Sequence, residues 1–458
     1  MKNSIQQIAE KFISHMQEYF SSSEEIQMNR LENELFEEAK SCAAEMTAAY
    51  IELVDQAMLK DKRSRKQDGY VVVRRNEARR IQTKIGEISF TRTYYRNNES
   101  KEYAYLTDQA IGLEAYTHVS DGLGLSLVEA AKDMSYQKAC EQVYNGSLSR
   151  QTVMHKIRQS SAGTQPNATV KRHVSYLHID ADEAHVTLVG GHKSIVPLIS
   201  VYEGIQRQGK RGKCREIFHI SEYGKKPDEI WEEVLSRIED RYDLNDTKIY
   251  LHGDGGSWIK SGLDWLPNVV FVLDKYHKNK AIKAMTAGLD KKTRKSYDKE
   301  IRTALVDEDT RFFDELTQSI SSQRPDRNEK IESASRYLKT FIRGISICVH
   351  DEEANNGGAT EPHVSHMLAG RLSSRPMKWS KATLERFAPI LVSDGSITFE
   401  KQHNVVRTEL HRNAVQAART IFRCRQTAGL PWPDSIGAIP ALNAGRTTNL
   451  YKALNGLS

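Results

Sequence analysis

Three separate stretches of this chain put carboxylates where metal or phosphoryl chemistry could use them. In YLHIDADEAHVTL, Tyr176 to Leu188, side chains repeat every two residues along a strand, so Asp180 and Asp182 project to one face while Ala181 and Glu183 point to the other. An acidic side chain in an otherwise apolar strand is costly to bury unless it meets a cation or a base, so one or both of these aspartates should have such a partner. In KIYLHGDGGSWI, Lys248 to Ile259, alternating apolar residues end at a lone Asp254 among Gly253, Gly255 and Gly256, which would let the backbone and a bulky anionic substrate come close.

The third carboxylate is Glu361 in NNGGATEPHVSHMLAGRLSSRPMKWS, where Thr360 could cap a helix and Pro362 take its first turn. The helix that follows would align His363, His366 and Arg371 along the same groove. Three acids of this kind suit a pair of Mg²⁺ or Mn²⁺ ions about 4 Å apart, clamping the attacking and leaving oxygens of a phosphoryl transfer. Asp274 and His277 in VLDKYH would lie on one helix face, able to pair, with His277 toward a phosphate or leaving oxygen. Taken singly, each of these residues could equally be a turn former, a cap or a packed histidine.

The elements that must position these groups can be read from periodicity. After the Gly/Pro/Asn break SAGTQPNATV, three strand-like runs, a helix PDEIWEEVLSRIEDRY, a strand into Asp254 and a strand VVFVLDKYH follow, which suggests an α/β layer fold. Residues 281–345 lose the strand signal and read as a charged helical insertion. Residues 1 to about 60 are helical, with Leu31, Leu35, Cys42, Met46, Tyr50 and Val54 at helical spacing. From Arg80 the pattern turns to a small hairpin around Gly86.

Leu125 to Gln159 reads as two helices divided at Asn145-Gly146, with Ser147 or Ser149 as cap, a helix-turn-helix layout that would present Arg150, Gln151, His155 and Lys156. The same layout also serves as a plain packing unit.

Six segments result: 1–68, helical; 69–165, hairpin plus helix-turn-helix; 172–280, first part of the core; 281–345, insertion; 346–400, second part of the core with the third acid; and 401–458, a helix and tail.

Composition agrees with a folded, charged protein: 458 residues, 28% charged, 39% hydrophobic, net charge +6. Between Lys60 and Arg80 nine basic residues face three acidic ones, a local excess as large as that of the whole chain. Arg74, Arg75, Arg79 and Arg80 are candidates for DNA phosphate, although a solvated linker would use the same residues. The five cysteines are scattered and never form a C-x-x-C pair, which argues against a zinc site or a disulfide framework. No apolar run approaches the roughly 20 residues of a membrane span, and the first residues lack a signal-peptide apolar block, so a cytoplasmic location is expected.

The motifs YLHIDADEAHVTL, YLHGDGGSWI, VLDKYHKNKAI and EPHVSHMLAGRLSSRPMKWS, preceded by GEISFTRTYY and the SYQKA…SLSRQTV helices, resemble those of ISLre-type insertion-sequence transposases, distant relatives of the Mutator-like transposases. The likeness runs to about Trp379. It implies a ribonuclease-H-like core with a helical insertion and a DDE mechanism: Asp182 as first acid with Asp180 a near neighbour, Asp254 as second, Glu361 as third, and His277 near the scissile phosphate. It also implies Mg²⁺ or Mn²⁺, DNA ends and target DNA as partners, and more than one copy of the chain on DNA. Lys278 and Lys280, just ahead of the insertion, with Arg371, would meet the DNA backbone. A ribonuclease-H-like nuclease or resolvase, and a catalytically inactive DNA-binding relative, are the alternatives. Which of Asp180 and Asp182 is the main ligand stays open, and nothing beyond about residue 395 matches.

Overall fold

The computed structural model describes residues 5–21, 27–144, 146–163, 170–208, 211–356, 358, 363–393, 395–399 and 408–427. The chain forms two compact units, one of Met1–Gly124, Tyr144–Gly146 and Lys401–Ser458, the other of Leu125–Val143 and Ser147–Glu400.

In the first unit the long helix Met28–Lys60 buries Ala44, Ala48, Ile51, Val54 and Met58 along one stripe, the outcome of their helical spacing. It packs on a hairpin of Tyr70–Thr83 and Gly86–Asn97, whose register runs from Thr83 opposite Gly86 through Arg79 opposite Phe90. The hairpin is longer than the one expected from Arg80 onward. The β-branched run Val71-Val72-Val73 carries the strand back through the basic segment, so that part of the charge excess sits on a strand and not on a linker. The helix Glu409–Thr427 closes the same core, with Leu410, Ala414 and Ala418 joining Val54, Met58 and Leu106. The expected grouping of hairpin with helix-turn-helix in 69–165 does not describe the fold, since the hairpin and the helices Tyr136–Val143 and Arg150–Gln159 fall in different units.

The second unit is built on a five-stranded sheet. Its strands are β1 (Tyr176–Thr187), β2 (Lys193–Tyr202), β3 (Phe218–Ile220), β4 (Lys248–Gly253) and β5 (Val269–Leu273), in the order β3-β2-β1-β4-β5. The first three are antiparallel neighbours, and β4 and β5 run parallel to β1. One face is apolar: Leu177, Ile179, Ala181, Ile199, Val201, Ile249 and Leu251 meet Trp231, Val234 and Ile238 of the helix Pro227–Glu239. Burial of each such large side chain contributes roughly 1.5–3 kcal/mol. The alternate residues face the other way, and there the sheet is polar.

After β5 come the helices Lys275–Thr286, Lys291–Val306, Thr310–Gln323, Asn328–Thr340 and Ile342–His350. Asp274, Asp290 and Asp309 cap the first three by accepting backbone N–H bonds. Ile282, Met285, Ile301, Leu305, Phe313, Ile331 and Leu338 give this helical bundle its own core, with Leu273 of β5 at its base. The helical insertion is thus present, and its first helix grows directly from the end of the sheet. The helix Lys381–Val392 packs on Arg150–Gln159, and the strand Ile397–Phe399 pairs with Ser160–Ala162.

Candidate active site

The period-two reading of β1 holds: Asp180 and Asp182 share the polar face with His178, while Leu177, Ile179 and Ala181 line the apolar core. Their depths differ. Asp180 is 2% exposed and accepts the Tyr202 hydroxyl at 3.1 Å on both oxygens. Asp182 is half-buried and accepts the Glu183 backbone N–H at 2.8 Å.

Asp180 pairs with His252 across β1 and β4. Asp182 and Asp254 each follow that pair by two residues: Asp182 lies within β1, opposite Leu198 of β2, where the pairing with β4 has ended, and Asp254 lies just past the end of β4. Asp254 is half-buried and folds back to accept the Gly256 N–H at 2.8 Å, while its carbonyl accepts the Tyr337 hydroxyl at 2.8 Å.

Asp274, 3% exposed, ends β5 and accepts the N–H groups of Tyr276 and His277. His277 Nδ1 lies 3.4 Å from Asp274 Oδ2. The Asp274 contact raises the affinity of His277 for its proton, burial opposes it, and the fields of Asp254 and Asp182 raise it further. Asp182, Asp254 and the Asp274–His277 pair thus stand at or after three neighbouring parallel strands, β1, β4 and β5.

The glycines around Asp254 have another reason than the one expected from sequence. Gly255 has φ +84°, and a Cβ there would fall 2.1 Å from Phe341 Cζ. A Cβ on Gly253 would fall 2.9 Å from Ile259 Cγ2 and 3.1 Å from the Ala181 carbonyl. Close packing and a left-handed turn, rather than room for substrate, require these two residues.

Behind the acids lies a polar network that the sequence reading did not identify. His178 Nδ1 meets His252 Nε2 at 3.1 Å and His178 Nε2 meets Glu353 Oε1 at 3.2 Å, with His178 stacked between Tyr202 and Tyr250. Burial lowers the proton affinity of both histidines, against the opposing pull of Glu353 on His178. The signal was available: His178, Tyr202, Tyr250 and His252 occupy the same strand parity as Asp180. His219 and His363 are likewise pushed by burial to about 4.

Glu361 lies outside the described residues, as do Thr360 and Pro362. Its described neighbours in sequence are Gly358, whose N–H donates to the Tyr202 hydroxyl at 3.0 Å, and His363, whose Nδ1 is 3.6 Å from Asp180 Oδ2. Among the described residues no group of three or more His, Cys, Asp or Glu side chains is arranged to hold a metal ion. Asp182 and Asp254, both half-buried, are hard oxygen donors of the kind Mg²⁺ and Mn²⁺ prefer.

The basic candidates divide. Arg75, Arg80, Arg150, Gln151 and Lys280 are exposed, and Arg74 is exposed but paired with Glu77 and stacked on Tyr94. Three do not fit a DNA surface. Arg79 is buried, donating to Asp108 and to the carbonyls of Glu114 and Thr117. Lys156 is buried with its ammonium over the Phe399 ring. Arg371 sits among Tyr136, Trp379 and Phe387 and donates to the Ala131 carbonyl. Lys278 is half-buried, and its proton affinity is lowered by that burial. Ser149 is the cap of the second helix of the expected helix-turn-helix, accepting from Thr152 N–H. Cys42, Cys140, Cys214 and Cys348 are free thiols.

Residues 21–406 match the family model described as Uncharacterised protein family (UPF0236). The chain is 31% identical over 425 residues to a UPF0236 protein of Caldanaerobacter subterraneus subsp. tengcongensis, covering 90% of this chain and 89% of the relative. A second protein of that organism, whose name joins eleven designations, is 31% identical over 90% of this chain and 88% of its own length. A Streptococcus gallolyticus relative named "UPF0236 protein in vanSb 3'region" is 23% identical over 81% of this chain and 84% of its own length. The chain belongs to UPF0236.

Proposed function

We propose that this UPF0236 protein is a DNA transposase that cleaves and joins the ends of its own mobile element by metal-dependent phosphoryl transfer on a ribonuclease-H-like core. The observation that supports the reading is that Asp182 of β1 and Asp254 after β4 each stand two residues beyond the paired Asp180 and His252 of adjacent parallel strands, with the Asp274–His277 contact at the end of the next parallel strand, β5. The resemblance of the motifs to ISLre-type transposases implies a ribonuclease-H-like core with a helical insertion, and a sheet of three antiparallel strands extended by two parallel ones, followed by a helical bundle, supports that reading. The names of the relatives add support: an element that copies itself leaves several copies in one genome, as the eleven designations joined in one relative's name suggest for that protein.

In this reading Asp182 and Asp254, with Glu361 as third acid, would hold the metal. One or two Mg²⁺ or Mn²⁺ ions would supply Lewis acidity there for attack by water or a 3′-hydroxyl on phosphorus. Asp274 orients His277, which would donate a hydrogen bond to a phosphate or leaving oxygen. Arg75, Arg80, Arg150, Gln151 and Lys280 contact DNA, the cations meeting its backbone. Asp180 is too deep and too well bonded to be the main ligand, and its carboxylate serves Tyr202 instead. The protein works in the bacterial cytoplasm on DNA, with two copies joining two ends; no helix among the described residues is long and apolar enough to cross a membrane.

The test is a joining assay. Purified protein, Mg²⁺ and a DNA fragment bearing the flanks of its own gene should yield products in which the fragment's 3′ ends are covalently linked to a target plasmid. Cutting without joining would favour a nuclease or resolvase, and binding without cutting an inactive DNA-binding protein.

A further inference from the structure

Asp254 stands one residue past β4, beyond the last ladder pair of Gly253 with Leu273, and Gly255 and Gly256 follow it. Two successive glycines give this turn unusual backbone freedom, so its shape must be set by contacts. One contact is local, the Asp254 carboxylate accepting the Gly256 N–H at 2.8 Å. Others come from 83 residues further along the chain.

Tyr337, in the last turn of the helix Asn328–Thr340, donates its hydroxyl to the Asp254 carbonyl at 2.8 Å. Phe341, which ends that helix, lies against Gly255 so closely that a Cβ there would overlap its ring. The two rings meet edge to face at 5.2 Å between centres, and Phe341 also meets Phe271 of β5 at 5.4 Å. They join the helical bundle to the sheet at the turn that carries the acid. Tyr337 is half-buried, and burial together with the fields of Asp254 and Asp274 raises the pKa of its phenol, so it is a donor at neutral pH. Past the glycines, Trp258 Nε1 donates at 2.7 Å to Glu183, the neighbour of Asp182 in β1. The turn is thus tied to the first acid's strand at one end and to the bundle at the other.

We propose that Tyr337 is a positioning residue for the second acid: its hydroxyl, backed by the Phe341 ring, fixes the Asp254 turn, so that the helical insertion sets where one metal-binding carboxylate stands. This deepens the phosphoryl-transfer reading above and rests on it. A metal centre needs its ligands held to about 0.5 Å, and a turn containing two glycines reaches that accuracy through the groups behind it. Asp182, inside β1 and paired across to β2, is held by the strand itself.

The test uses Mn²⁺ alone as the probe, with the free ion followed by electron paramagnetic resonance on the full-length protein. Tyr337→Phe keeps the ring and removes the donor. Tyr297→Phe is the control, since it removes a hydroxyl of the same bundle that meets Ser319 Oγ at 2.7 Å. Asp182→Asn and Asp254→Asn should each lose most of the binding, which marks the site. Tyr337→Phe should weaken Mn²⁺ binding about fivefold, the scale of one lost hydrogen bond, and Tyr297→Phe should stay within about twofold of wild type. Hydrogen exchange should speed up in peptides spanning residues 254–258 in Tyr337→Phe and not in Tyr297→Phe.

Unchanged exchange there, or wild-type Mn²⁺ affinity in Tyr337→Phe while Asp254→Asn loses it, overturns the positioning role and leaves the phosphoryl-transfer reading standing. An equal loss of affinity in Tyr297→Phe also overturns the role, because the effect then comes from the bundle at large. Mn²⁺ binding that is indifferent to both Asp182→Asn and Asp254→Asn, or absent from the wild type, overturns the phosphoryl-transfer reading and the role with it.

Discussion

His277 and Asp274 face each other across one helical turn, with 3.4 Å between Nδ1 and Oδ2, and the same aspartate caps the helix that carries the histidine. The Asp274 contact is the largest cause of His277's raised proton affinity; burial opposes it, and the fields of Asp254 and Asp182 add to it. Because the folded value lies above the ordinary 6.5, the protonated form is the one the fold favours. Its contribution to stability is fully present below about 6.5 and is lost as pH rises through the raised value. An NMR titration of the imidazole should show a midpoint above the ordinary value, falling in Asp274→Asn. It should also fall on addition of Mg²⁺, since a cation between Asp182 and Asp254 cancels their field. A midpoint at or below 6.5 in the wild type would contradict this electrostatic picture.

Arginines of one strand should behave in opposite ways. Arg79 is buried against Asp108, which Arg92 also contacts, so Arg79→Ala leaves a carboxylate with fewer partners and should cost about 3 kcal/mol of stability. Arg80→Ala, with a side chain 77% exposed, should leave stability unchanged and weaken DNA binding at low salt, lowering the slope of log affinity against log salt by about one. Chemical denaturation and salt-dependent binding measured on both variants check the contrast.

Gly255→Ala should be destabilising for two separable reasons. A left-handed φ costs an alanine about 1–2 kcal/mol, and overpacking against Phe341 about 1–3 kcal/mol more. Adding Phe341→Leu should recover part of the second cost and none of the first. Unfolding followed by fluorescence of Trp231 and Trp258, which lie in the same unit, would measure both.

What could be read from the sequence was what depends on short-range periodicity. The two-residue repeat put Asp180 and Asp182 on one face, and the helical pattern found the insertion and the long first helices. The Asp-x-x-His spacing foretold the contact of Asp274 with His277. What escaped depends on partners far along the chain. The glycines at 253 and 255 answer to Ile259 and Phe341, and Arg79 and Arg371 looked like surface charge until Asp108 and a cage of Tyr136, Trp379 and Phe387 were brought to them. The helix Glu409–Thr427 carried an amphipathic pattern with no indication that it would close the core of the first unit. Tyr202, twenty residues beyond Asp182, had no local signal beyond its strand parity.

The measurement closest to the central claim is cleavage of DNA bearing the gene's own flanks, with Mg²⁺, by wild type, Asp182→Asn, Asp254→Asn and Asp180→Asn side by side. The account predicts loss of at least about a thousandfold in rate for the first two variants, with DNA binding kept, since each removes a ligand and its charge from the reacting centre. It predicts near wild-type rate for Asp180→Asn. Activity that survives in Asp182→Asn and vanishes in Asp180→Asn would contradict the account.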